Sequence, residues 1–206
     1  MPLQSLFPTL IYSAPLLRRS DTGALNKRLL RECLQLRDDD SAGRRWSQRN
    51  YPGGYTSYSS VAKVHTISPT FAALQRRLDR HVDAYVKSLE LDTDTRPLTM
   101  TDCWINIMPR SVVHSWHLHP LSTISGTYYV QTPKGCAGLK FEDPRLDRFM
   151  AAPPRKARSR PEHRPWQELP AEAGHVVLFE SWLRHEVPPN PSRRERISIS
   201  FNYNWF

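Results

Sequence analysis

The chain has 206 residues, 39% of them hydrophobic and 10% aromatic, enough to bury a full core in one domain. Lysine and arginine number 29 against 20 acids, a net charge of +9 that would suit nucleic acid, but the excess sits in loop-like stretches: Arg155–Arg164, Arg18/Arg19 and Arg44/Arg45. No basic helical stripe is expected and no aromatics interleave with those arginines, so we expect a solvated basic surface, with a dock for an acidic peptide or other anion as the alternative, and no nucleic-acid partner. Cys33, Cys103 and Cys136 are scattered with no CxxC, which excludes a disulfide framework and a thiolate zinc site. Without a signal peptide or a long apolar run, the chain reads as a reduced, cytoplasmic protein with no membrane contact.

In chain order, LFPTLIYSAPLL is apolar but broken by Pro8 and Pro15, the mark of an edge strand. Asp21 is placed to cap a helix to about Leu36, with Leu25, Leu29, Cys33 and Leu36 on its buried stripe. The polar, Gly- and Tyr-bearing stretch 38–60 reads as a long loop. Ser68-Pro69 then opens the most regular helix, with Phe71, Leu74, Leu78, Val82, Val86 and Leu89 in helical spacing to about Leu91.

From Pro97 the period changes to two. Strands are expected at Leu98–Met108, Ser115–His119, Ile124–Gln131, Gly138–Glu142, His175–Glu180 and Arg196–Trp205, with a charged, proline-bearing insertion over Asp143–Arg164. Helices followed by antiparallel-looking strands predict an α+β, mainly β fold: a double-stranded β-helix, or jelly roll, with packed N-terminal helices. We read it as one domain, 1–97 supplying the first strand and helices and 98–206 the barrel core.

The pattern richest in chemistry is WHLHP. His117 and His119 stand two apart, so on a strand both imidazoles face one side and can share a metal ion. His185, in WLRHEVPPN, supplies a third ligand that leaves open coordination positions, a catalytic arrangement. His114 is out of phase with the pair and reads as a loop residue or an outer neighbour, while Trp116 and Leu118 point into packing. In RISISFNYNW, Arg196, Ser198, Ser200, Asn202 and Asn204 share one face. That face meets solvent in an ordinary sandwich; in a barrel with a cavity, Arg196 and Ser198 become adjacent donors for a carboxylate.

The ordered series HxHP, SGxYYV, FEDP, SWLxHxVxPN and RISISFN resembles the 2-oxoglutarate- and Fe(II)-dependent oxygenases of the HxHP type, over roughly residues 98–206 with a weaker match at LFPTLIYS. The resemblance implies a jelly roll that couples oxidative decarboxylation of 2-oxoglutarate, using O2, to oxidation of a second substrate. It places His117 and His185 at metal-ligand positions, Arg196 at the residue that binds the far carboxylate of 2-oxoglutarate, and Ser198 beside it. Tyr129, which shares parity with Ser125 and Thr127, and Asn106 are further candidates to face the co-substrate. No catalytic side chain is expected beyond the metal centre. The family's usual triad is two histidines and a carboxylate, and here His119 stands where the acid would be. Three readings stay open: a three-histidine site, an acid such as Glu142 or Asp143 from elsewhere, or a two-histidine site completed by water. The first is preferred, because the two imidazoles are geometrically ready.

The function implied is an Fe(II)- and 2-oxoglutarate-dependent dioxygenase that hydroxylates a peptide or small anionic molecule. The segments Asp39–Ser60 and Asp143–Arg164 are its natural lids, and their basic residues hint at the substrate's charge. A zinc hydratase or hydrolase using the same histidines would have no use for Arg196; a non-catalytic metal-binding jelly roll is the third reading. The sequence leaves room for a homodimer.

Overall fold

The computed structural model describes residues 3–17 and 19–206; the side chains of Arg18, Arg19, Ser20 and Asp21, and with them the cap expected of Asp21, lie outside that description. The N-terminal portion forms β1 (Tyr12–Pro15), α1 (Arg19–Asp39), α2 (Ser41–Asn50), β2 (Tyr55–Thr56) and α3 (Pro69–Ser88). In α3 the Ser68 hydroxyl accepts from the Thr70 N–H at 3.0 Å and Pro69 takes the first helical position, where its missing N–H costs nothing. Its stripe of Phe71, Leu74, Leu78 and Val82 is buried, as are Leu25, Leu29 and Cys33 of α1.

The stretch expected to be one long loop holds α2 and β2 instead. SAGRRWSQRN has no apolar stripe to announce a helix; what starts it is Asp40, whose carboxylate accepts from the Gly43 N–H at 2.8 Å, from the Tyr55 hydroxyl at 2.9 Å and from the Ser60 hydroxyl at 2.5 Å. A side chain at position 43 would not fit, since a Cβ there would lie 2.0 Å from Asp40 Oδ2. Ser47 ties the helix to β2 by accepting from the Thr56 N–H at 3.1 Å.

The strands are β3 (Thr99–Met108), β4 (His114–His117), β5 (Ile124–Gln131), β6 (Leu139–Glu142), β7 (Trp166–Leu169), β8 (His175–Glu180), β9 (His185–Val187) and β10 (Arg196–Asn204). A six-stranded sheet runs β1-β8-β5-β10-β3-β2 and a four-stranded sheet β4-β9-β6-β7, with every ladder antiparallel. This is the expected jelly roll, mainly β with three α-helices among the described residues, and β1, which ends in Pro15, lies on the sheet edge. The short strands β7 and β9 escape the period-two reading. The insertion 143–164 is the long connection of the β6–β7 hairpin, its ends closed by the Asp143 N–H donating to the Pro165 carbonyl at 2.8 Å.

Alternation divides the large sheet between two cores. Val176 and Leu178 of β8, Ile105 and Ile107 of β3 and Ile197, Ile199 and Phe201 of β10 pack with α1 and α3. Val177 and Phe179 of β8, Tyr129 of β5 and Met108 of β3 turn to the other face, where they meet Phe141, Leu139 and Val187 of the small sheet. Among the described residues no helix is long and apolar enough to cross a membrane.

Candidate active site

The register of the small sheet sets His117 of β4 opposite His185 of β9, with ring centroids 4.3 Å apart. His119 is not on the strand, as the HxH spacing implied: β4 ends at His117 and Pro120 follows. Its backbone N–H donates to the Ser181 carbonyl at 3.0 Å, which pins the turn after β4 to the turn between β8 and β9. Both His117 and His185 rings lie 5.2 Å from the His119 ring, and one ligand atom from each of the three residues falls within 4.8 Å of the others.

Each imidazole has a second partner that fixes its tautomer. The His117 Nδ1 is 2.7 Å from the Ser115 carbonyl, the His185 Nδ1 2.9 Å from the Leu183 carbonyl, and the His119 Nδ1 2.7 Å from the Asn202 amide oxygen. Those oxygens only accept, so Nδ1 carries the proton and Nε2 keeps the lone pair a metal needs. Burial disfavours the charged form of all three: it pushes His117 down, His119 to about 4 and His185 to about 2, with neighbouring imidazoles adding to the last two. They are therefore neutral at physiological pH. The two acids offered as substitutes are engaged elsewhere: Glu142 accepts from Arg184 at 3.0 Å, and Asp143 pairs with Arg145 at 2.8 Å.

His114 is on β4 rather than in a loop, and it stands as an outer neighbour of His117. The β4–β9 register shifts between His114 and His117, and this bulge turns both rings the same way, stacked at 4.3 Å and 16°. Nor do the intervening residues point into packing: Leu118 is exposed, and Trp116 lies under the cations of Lys140 and Arg184, at 5.3 and 5.7 Å.

From the histidines a narrow cleft of about 30 Å³ leads to β10. The polar face of that strand lines it through Arg196, Ser198 and Ser200, so the cavity reading of the alternation holds and the solvent reading does not. Arg196 is 2% exposed and, among the described residues, has no carboxylate partner. Its Nη1 reaches Ser198 Oγ at 3.1 Å and Met108 Sδ at 3.4 Å, its guanidinium lies 5.0 Å over the Tyr129 ring, and its Nε has no hydrogen-bond partner. The Tyr129 and Tyr51 hydroxyls and the Asn106 Oδ1 are likewise buried and unpaired, Asn106 giving only its amide N–H to Ser200 at 3.0 Å. A buried cation with no counter-charge among the described residues, with its own Nε and two tyrosine hydroxyls free to donate, fits the carboxylate of 2-oxoglutarate.

Residues 102–202 match the family model of the 2OG-Fe(II) oxygenases. This part of the chain belongs to that family. With it come an oxidoreductase activity, Fe(II) as cofactor and 2-oxoglutarate as co-substrate. Among solved structures the fold is similar to a prolyl-4-hydroxylase from Pseudomonas putida (TM-score 0.59, 16% identity, covering 96% of this chain and 94% of that one). It is also similar to a prolyl hydroxylase from Trichoplax adhaerens in complex with a hypoxia inducible factor peptide fragment (TM-score 0.58, 14%, 95% and 83%). A third is HygX from Streptomyces hygroscopicus with nickel, 2-oxoglutarate and hygromycin B bound (TM-score 0.59, 15%, 95% and 83%). No curated protein matches the sequence.

The oxygenase has a second, wider cavity of about 210 Å³ that adjoins the first at the histidines. Trp104, Asn106, His114, His117 and His119 line both spaces. The outer walls are Trp46, Tyr51 and Tyr58 from the stretch read as a lid, with Leu118 and Pro120. No residue of 143–164, the other expected lid, lines either cavity. Sequence reasoning missed Tyr51, Trp104 and Asn202; only Asn202 was signalled, by sharing the face of Arg196 and Ser198, three and two steps along the alternation.

Proposed function

We propose that this oxygenase hydroxylates a C–H bond of a peptide or small molecule, with His117, His119 and His185 holding Fe(II). Arg196 and Ser198 bind the far carboxylate of 2-oxoglutarate, Tyr129 bounds its pocket, and Asn106 stands between co-substrate and substrate. The bound metal supplies oxygen activation, driven by decarboxylation of 2-oxoglutarate. The chain supplies the rest. Three neutral imidazoles present lone pairs at fixed angles, the phenyl groups of Phe179 and Phe141 close over His185 at 4.5 and 6.0 Å and keep water from it, and Arg196 sets the depth of the co-substrate. Residues 1–206 act as a single domain in this reading, since β1 and β2 from the N-terminal portion join the large sheet.

The observation that carries the proposal is the buried Arg196 without an acid partner, in a cleft that opens on three histidines. Reconstitution with Fe(II) under argon followed by titration with 2-oxoglutarate tests it. A metal-to-ligand charge-transfer band that saturates with one equivalent, and is lost in His117→Ala and His185→Ala, is the expected result. Absence of the band with full iron occupancy would refute the assignment.

A further inference from the structure

The wider cavity is unlike the co-substrate cleft in its charge. Arg196 serves the inner space, but the outer one has no lysine, arginine, aspartate or glutamate in its lining. Its walls are aromatic, with Tyr58 packed edge-on against Trp104 at 5.1 Å, and its polar groups are neutral: Asn50, Thr56, Asn106 and Asn202. Apart from the metal that the histidines would hold with its co-substrate carboxylate, a charged group entering there would lose its hydration and meet no counter-charge. The group placed before the histidines is therefore uncharged. At about 210 Å³ the cavity holds far more than one water, which needs roughly 10–15 Å³.

The mouth has a different character. Trp46, Tyr58 and Leu118 leave 36%, 52% and 45% of their surface exposed, an apolar rim open to a partner outside the cavity. Helix α2 contributes to that rim in two adjacent stripes. Trp46 and Asn50, four residues apart, line the cavity; Arg45 and Arg49, also four apart, lie one step round the helix and are exposed. Among the described residues neither arginine has an ion-pair partner, and α2 carries no acid.

We infer that the outer cavity takes an uncharged side chain of a peptide whose neighbouring residues are acidic. The aromatic walls pack against the inserted side chain while Arg45 and Arg49 pair with the flanking carboxylates. This inference rests on the oxygenase reading of the histidines, and it narrows the substrate to a peptide read by α2.

The test is fluorescence anisotropy of labelled short peptides against enzyme loaded with Fe(II) and 2-oxoglutarate under argon, so that binding is read without turnover. One peptide set has varied uncharged central residues between glutamates; matched sets have serine or lysine flanks, and a fourth has a central glutamate. We expect the glutamate-flanked set to bind about tenfold more tightly than the serine-flanked set, a gap that closes in high salt and in the Arg45→Ala/Arg49→Ala double variant. Trp46→Ala should weaken both sets alike, and the central glutamate should weaken binding. The three positions are at the surface, so the fold tolerates their loss. Equal affinity of the glutamate and serine sets, preference for lysine flanks, no binding by any set, or a gap that survives the double variant would each overturn the inference. The two readings fail separately. Peptide binding without a 2-oxoglutarate charge-transfer band defeats the site assignment alone, and a band without peptide binding defeats this one alone.

Discussion

The Nδ1 of His119 lies 2.7 Å from the Oδ1 of Asn202, a residue 83 positions later and on the strand that also carries Arg196. Ser125 Oγ donates to the same oxygen at 2.9 Å and bridges to Ser181 at 2.7 Å. One amide thus orients the His119 imidazole, and through β10 it links the proposed metal ligands to the proposed co-substrate residue Arg196.

Asn202→Ala should therefore weaken metal binding by about ten- to a hundredfold, the usual cost of removing a partner behind a ligand, without unfolding the protein. His119→Ala should lose more, and His119→Asp, which restores the family's usual acid, should recover much of that loss. Calorimetric titration with Co(II) measures all three. An Asn202→Ala affinity equal to wild type would remove the amide from the site.

Arg196 makes an opposite pair of demands on stability. Unliganded, it buries a charge with no counter-ion; liganded, it gains charge-assisted hydrogen bonds of about 1.5–3 kcal/mol. Arg196→Met should melt at or above the wild-type temperature without 2-oxoglutarate, yet gain little when the co-substrate is added, while wild type rises clearly. Its affinity for 2-oxoglutarate should fall by about ten- to a hundredfold. A variant that melts lower and is still stabilised by the co-substrate would contradict this account.

Asp40 governs the helix that walls the outer cavity. Partial burial raises its carboxyl, but the hydrogen bonds from Ser60, Gly43 and Tyr55 outweigh that and hold it below its ordinary 3.8. For a depressed carboxyl, the added stability is fully present above that ordinary value and is lost as pH falls through the lower folded value. The difference in urea midpoint between wild type and Asp40→Asn should accordingly be constant from about pH 7 to pH 5 and shrink below 3.8. A difference that disappears near neutral pH would show that another group is responsible. Gly43→Ala, which drives a Cβ into Asp40, should destabilise at every pH.

The long periodic elements were legible because their burial is one-sided: α3, β5 and β8 stand within a few residues of where spacing puts them. Where a local device overrides period, the sequence is silent. The bulge between His114 and His117 reverses parity and draws in a fourth histidine. Helix α2 depends on one carboxylate rather than an apolar stripe, and β9, at three residues, is too short to show alternation. Of the site, His117, His119, His185 and Arg196 could be named from motif spacing, and they do converge on adjoining cavities. The aromatic wall could not, because Trp46, Tyr51 and Tyr58 lie in a polar stretch and meet Trp104 only through the β2–β3 ladder.

That ladder has a kinetic meaning. Tyr55 and Thr56 pair with Ile107 and Asn106, and Ser47 exchanges hydrogen bonds with Thr56, donating to its carbonyl at 3.3 Å and accepting from its N–H at 3.1 Å. The wall of the outer cavity is thus stitched to the same strand that bears Asn106 of the inner one. Opening it would mean breaking a strand out of a sheet, which is far slower than the swing of a free loop. The wall that Trp46, Tyr51 and Tyr58 build is therefore held by ladder and side-chain hydrogen bonds, so that any opening there would first have to break them.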